Sequence, residues 1–195
     1  MDAYLKAPFF APEDQLPAPL PPPEVIASAG VVLQEYTGRR VVRFGESYII
    51  KYGLNVSHTE GENMLFLKQN QMISVPEVYA LYSKEDDKGN KVNYIIMEYI
   101  KGESLDVCWP LLDLCEKDQI ASQLRRRNIV MRGDKTLVVI DWEAAGWYPE
   151  YWEYVLATIT AASWKDDWHE YLAKILDEYP NEYAWFDMMI REIWS

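Results

Sequence analysis

The sequence predicts an α+β protein in two parts: a small antiparallel sheet carrying one helix, then a reduced, mainly helical segment. Between residues 31 and 97, short β-branched runs are punctuated by Gly38, Gly45 and Gly53 and interrupted by a single apolar helical stripe. That is the texture of a meander with one inserted helix. Beyond Tyr99-Ile100-Lys101-Gly102-Glu103, apolar residues recur at intervals of three and four instead of two, the period of amphipathic helices.

Residues 1–27 hold seven of the eleven prolines, ending in Pro21-Pro22-Pro23, and have no hydrophobic periodicity. Such a segment lacks the apolar pattern needed to offset ordering, so it is expected to be an extended or disordered arm. It could instead serve as a ligand for a proline-recognising module. Residues 28–100 form the expected sheet lobe. Val31-Val32-Leu33, Val41 to Phe44 and Tyr48 to Tyr52 read as the first strands. A helix starts at Ser57 or Thr59, has Glu60 and Glu62 in its first turn, buries Met64, Leu65 and Leu67, and ends before Pro76. Val78 to Tyr82 and Val92 to Met97 complete the sheet around a charged loop.

Residues 101–195 form the expected shortened helical lobe. Ser104 caps a short helix, and Glu116 to Arg126 forms another. A hairpin over 127–141 turns at Gly133-Asp134, a dipeptide suited to tight turns. Pro149 opens a helix to about Ala162, the spacing from Trp164 to Tyr179 predicts a second, and Tyr183 to Trp194 a third.

The 195 residues are 49% hydrophobic, enough for a packed core. A formal charge of −12 argues against nucleic-acid binding, which draws on cationic contacts to phosphate, and favours cationic partners. Cys108 and Cys115 lack CxxC spacing and only two histidines accompany them, so neither a zinc site nor a disulfide scaffold is suggested. No run approaches the roughly 18 apolar residues of a membrane span, and no basic segment precedes an apolar one at the N-terminus. The expectation is a cytoplasmic protein with no membrane partner.

The candidate chemistry lies at two places. Asn128 and Asp141 stand at the two ends of the predicted hairpin, and their hard oxygens suit Mg²⁺ on a nucleoside triphosphate. Lys51 ends an apolar strand and needs either water or a buried carboxylate, with Glu60 or its competitor Glu62 on the next helix. Such a pair grips nucleotide phosphates, although a strand-edge lysine and a glutamate serving the helix dipole have the same spacing. The strand Tyr94-Ile95-Ile96-Met97-Glu98-Tyr99, running into a glycine-containing connector, then supplies backbone against which adenine could lie.

The strings VVRFG-x-x-YIIKYG, EGENMLFL-x-x-N, VPEVYALY, YIIMEYIKGESL, RNIVM and VVIDWEAAGWYPEYWEY resemble the aminoglycoside-phosphotransferase and choline-kinase-like group of the protein-kinase-like superfamily, its fungal members included. The resemblance covers roughly residues 30–160. It implies a two-lobed kinase-like fold with ATP and Mg²⁺ as cofactors and a cationic or hydroxyl-bearing small molecule as acceptor. It makes Lys51 the phosphate-binding lysine, Glu60 its partner, Glu98 to Ile100 the hinge, and Asn128 and Asp141 the metal ligands.

Two departures qualify the expected activity. The group carries a helical insertion and a His-Gly-Asp string before the asparagine, whereas here Leu124 reaches Asn128 through Arg125-Arg126-Arg127 alone. The proton-accepting aspartate is therefore missing, as in an internal deletion, and no catalytic base is assigned; Arg132-Gly133-Asp134 lies after Asn128 and reads as a turn. The candidate phosphate loop, Tyr36-Thr37-Gly38-Arg39-Arg40, has one glycine. The expected function is a catalytically impaired phosphotransferase-like protein that retains Mg-ATP binding. The alternative is a non-catalytic binding or regulatory pseudo-enzyme using Glu143, Glu150 and Glu153 with Trp142, Trp147, Tyr148, Tyr151, Trp152 and Tyr154 as an acidic, aromatic surface. Those aromatics could equally be the core of the helical lobe.

Overall fold

The computed structural model describes residues 5–70, 74–121, 129–140, 142, 148–161 and 166–193. The chain divides into two compact units, Met1–Gly102 with Val130–Ala145, and Glu103–Ile129 with Gly146–Ser195. The hairpin assigned from sequence to the helical lobe thus clusters with the sheet.

The first unit contains β1 (Phe9–Phe10), α1 (Pro23–Ala29), β2 (Val31–Tyr36), β3 (Arg39–Phe44), β4 (Tyr48–Gly53), α2 (Thr59–Gln69), β5 (Val78–Glu85) and β6 (Lys91–Glu98). The six strands form one antiparallel sheet in the order β1-β5-β6-β4-β3-β2. Directly paired residues share a face. One face carries the row Gln34, Val41, Lys51, Ile95, Leu81 and Phe9; the other carries Val42, Ile50, Ile96, Ala80 and Phe10. Ile95, Leu81 and Phe9 of the first row belong to a core shared with Met64 and Leu65 of α2. The second lies under Leu16, Leu20 and Ile26.

Residues 11–26 of the arm, expected as extended or disordered over residues 1–27, instead cover that second face. Phe9 and Phe10 pair with Leu81 and Ala80, extending the sheet at β5. The Ala11 amide donates to the Tyr79 carbonyl at 2.8 Å, the Tyr48 hydroxyl donates to Ala18, and Lys84 pairs with Glu24. Ile26 is buried to 1% exposure, a transfer contributing about 1.5–3 kcal/mol. Proline fits both jobs. At a sheet edge its missing N–H costs no interior ladder bond, and Pro23 at the start of α1 has a preset helical φ. Across β4, β6, β5 and β1 the rings of Tyr52, Tyr94, Tyr82 and Phe10 stack in series, with successive centroids 5.6, 4.9 and 5.5 Å apart. Burial in this stack, reinforced by Tyr94, pushes the Tyr82 phenol up to about 12.

After β7 (Gly102–Ser104), β8 (Ile129–Arg132) and β9 (Leu137–Val139) form the expected hairpin. Its left-handed residue is Lys135 at φ 66°, while Asp134 accepts the Thr136 amide at 2.9 Å. Asp134 is therefore a turn residue, and the turn is longer than the Gly133-Asp134 dipeptide suggests. Gly102 passes so near the Met131 carbonyl that a β-carbon there would overlap it.

The second unit holds α3 (Leu105–Cys108), α4 (Leu114–Ala121), α5 (Tyr151–Ala161), α6 (Leu172–Ile175) and α7 (Pro180–Ile193). Its centre is Trp109, fully buried, with Trp168 and Tyr171 edge-on at 4.7 and 5.2 Å. The Trp109 indole N–H donates to Asp167, which also pairs with the buried Lys117 at 2.7 Å. The helix expected between Trp164 and Tyr179 is instead a 3-10 segment over Asp167–Tyr171 joined to the single-turn α6. Asp166 accepts the Trp168 amide and sets the start, and extended backbone at Leu176 ends α6. Cys108 is buried and Cys115 is exposed.

Candidate nucleotide site

Lys51 sits at the centre of the sheet face that meets α2, flanked by Val41 and Ile95. A cation there needs a carboxylate, because uncompensated charge in an apolar setting is strongly unfavourable. α2 provides it. The Ser57 hydroxyl oxygen accepts the Thr59 amide at 3.2 Å at the helix start, and Glu60 and Glu62 occupy the first turn, where the helix dipole favours negative charge. Gly61 lets the helix descend onto the sheet, since a β-carbon would run into Leu81. Glu60 then meets Lys51 at 2.6 Å, with side-chain exposures of 4% and 13%.

The sequence left Glu60 and Glu62 in competition for Lys51, and the structure separates their roles. Glu62 accepts the backbone amide of Ala7 at 3.2 Å. The next residue, Asn63, donates to the Trp142 carbonyl at 3.4 Å, and the Trp142 indole N–H donates to Val139 at 3.0 Å. Three near-consecutive residues thus tie α2 to the sheet, to the N-terminal arm and to the segment after the hairpin. The arm contact was invisible to sequence reasoning because its acceptor and donor lie 55 residues apart. Trp142, grouped from sequence with the acidic aromatic set, packs instead into the first unit's core beside α2.

The residues expected as the hinge, Glu98 to Ile100, are anchored within the first unit. The Glu98 amide donates to Glu77 and the Tyr99 amide to Ser47, each at 2.8 Å. The Glu98 carboxylate accepts the Glu77 amide at 3.3 Å and pairs with Arg132 of the hairpin at 2.7 Å. Its side chain is thus committed within the protein, leaving backbone as what this position offers a ligand. Ile100 is buried at 7% exposure. Thr37-Gly38 makes a two-residue turn between β2 and β3, with Gly38 at φ 75°. Asn55 holds this turn, its side-chain amide donating to the Thr37 carbonyl at 3.0 Å and its backbone amide to Gly38 at 2.9 Å. This tight hairpin is not a glycine-rich loop able to fold around phosphate.

The predicted metal ligands Asn128 and Asp141 lie outside the described residues, as do Glu143 and Trp147. Among the described residues no group of three or more histidine, cysteine or acidic side chains is placed to hold a metal, and no helix is long and apolar enough to cross a membrane. In the second unit, Tyr148 stacks on Trp152 at 5.3 Å, and Phe186 meets Trp152 edge-on at 5.3 Å. Tyr151, Asn181, Glu182, Trp185, Phe186 and Met189 line an open groove of about 430 Å³.

The sequence matches no protein-family model and no curated protein. Among solved structures, one titled WaaP in complex with acyl carrier protein superposes with a TM-score of 0.60 at 16% identity, covering 88% of this chain and 92% of that one. A crystal structure of WbdD aligns at a TM-score of 0.42 and 15% identity, over 78% of this chain and 48% of that one. The six-stranded antiparallel sheet with α2 inserted between β4 and β5, followed by a helical unit, is therefore the protein-kinase-like fold also found in WaaP.

Proposed function

We propose that this chain is a phosphotransferase-like protein related to the aminoglycoside-phosphotransferase group, impaired in transfer but able to bind Mg-ATP. The observation that carries the proposal is the Lys51–Glu60 ion pair, closed at 2.6 Å on the sheet face that α2 covers. A lysine fixed by a helix carboxylate is poised to contact nucleotide phosphates, and a kinase-like fold makes that its natural use. Val41 and Ile95 flank Lys51 in register and surround the pair with apolar side chains. In this reading Asn128 and Asp141 hold the metal, which neutralises phosphate charge when bound. No carboxylate occupies the six positions before Asn128, where a base orienting an acceptor hydroxyl would be expected. The short Thr37-Gly38 turn weakens the grip on phosphate further. The acceptor class is a cationic or hydroxyl-bearing small molecule, and the expected compartment is the cytoplasm.

Thermal melting with and without Mg-ATP tests this. A ligand that binds only the folded state, at about 100 times its Kd, adds roughly 2.7 kcal/mol. Lys51→Ala and Asp141→Ala should each shrink the rise in Tm, while Asp134→Ala, in the hairpin turn, should leave it intact. Equal responses from all three, or a rise indifferent to Mg²⁺, would overturn the proposal.

A second reading, a non-catalytic binding protein, draws on the groove in the helical unit, where Trp185 is 71% exposed beside Phe186 and Glu182. Loss of the Mg-ATP response in the wild-type chain would give it the lead.

A further inference from the structure

The arm meets the candidate site through α2. Besides the Ala7–Glu62 hydrogen bond, Leu5, Ala7 and Phe9 pack into the same core as Met64 and Leu65 of α2, Leu81 and Ile95 of the sheet, and Trp142. Phe9 lies beside Leu81 in register, and Leu81 is the residue that Gly61 approaches. The arm segment 5–11 is thus fixed to β5 by strand pairing and to α2 by a side chain two residues from Glu60. A helix carrying a catalytically relevant carboxylate has two ways to misplace it: rolling, or lifting from the sheet. The Ala7–Glu62 contact opposes the first, and the wedge of Leu5 and Phe9 against the core opposes the second.

We propose that residues 5–11 are a strap that sets the position of α2, with Glu62 as its positioning residue, so that strap docking controls closure of the Lys51–Glu60 pair. Undocking lets Glu60 leave Lys51 without unfolding the sheet. This rests on the proposed nucleotide site for its functional meaning, but its physical content is separate: the state of Lys51 depends on the arm.

The test measures the rate at which an amine-reactive reagent modifies Lys51 in the full-length protein. Lys174, exposed and paired with Asp118 in the other unit, serves as internal reference. Hydrogen exchange of β3 and β4 reports whether the sheet persists. Phe9→Asp, which places a charge at the strap's apolar contact, should accelerate Lys51 modification about tenfold or more with β3 and β4 protection retained. Glu62→Ala, losing one hydrogen bond, should accelerate it about fivefold, and Glu62→Gln, which keeps an acceptor for the Ala7 amide, should restore the wild-type rate. Unchanged Lys51 reactivity in Phe9→Asp overturns the strap. If Phe9→Asp loses sheet protection, the Glu62 pair decides: equal rates in Glu62→Ala and Glu62→Gln overturn it. Mg-ATP melting of the wild-type chain fails or succeeds independently, so loss of the nucleotide site and loss of the strap give different results.

Discussion

Two ion pairs carry more weight than their neighbours because they are poorly hydrated. The Asp167 carboxyl is held below its ordinary pKa first by the hydrogen bond from Lys117, opposed by burial and aided by the Trp109 indole. A carboxylate with a depressed folded pKa stabilises above its unfolded pKa, and that contribution is lost as pH falls through the folded value. The melting temperature followed through the tryptophans should therefore fall as pH drops below the ordinary aspartate range of about 4. Asp167→Asn should cost about 1–3 kcal/mol at neutral pH and flatten that acid limb. At the other pair, removing one partner strands a buried charge. Glu60→Ala should destabilise by about 3–5 kcal/mol in urea titrations, while the double change Lys51→Met with Glu60→Leu should recover most of it. A double variant as unstable as the single one would mean that the pair also supports packing beyond its own charges.

At the scale of elements, α2 depends on close approach. Gly61→Val would drive a branched side chain into Leu81, which is fully buried. The expected cost is about 1–3 kcal/mol, measured by chemical unfolding, since valine returns little helix propensity to offset the clash. The sheet and α2 were legible in the sequence because alternating β-branched runs and a capped apolar stripe are local signals. The Lys51–Glu60 contact was legible for the same reason, the two residues standing on consecutive elements only nine positions apart. The arm was not. Its order comes from Ile26, Leu20 and Leu16 filling one sheet face and from a two-residue strand, neither of which leaves periodicity in a proline-rich segment. The segment after Trp164 misled differently: its aromatic spacing suits a helix, but Trp168 and Tyr171 are placed around Trp109 by a tighter 3-10 turn.

Over the whole molecule, the proposed function separates fold from activity. The kinase-like fold is present, and by the resemblance the arginine run before Asn128 stands where the group carries its aspartate. Incubation with isotope-labelled ATP and choline or an aminoglycoside should give no product, or product at a very low rate. Robust transfer that disappears in Asp141→Asn, in a preparation free of contaminating kinases, would show that another group orients the acceptor.

The pairing of Phe9 with Leu81 joins residues 72 positions apart, and this has a kinetic consequence. The β2-β3-β4 hairpins close over short loops, whereas β1 must wait for a strand made much later, a contact with a large loop-closure entropy. Such contacts tend to form after the rate-limiting step. In stopped-flow experiments Phe9→Asp should then leave the folding limb of the chevron nearly unchanged and raise the unfolding limb. The arm would act as a brake on unfolding of the sheet, extending the native state's lifetime without helping the chain to reach it.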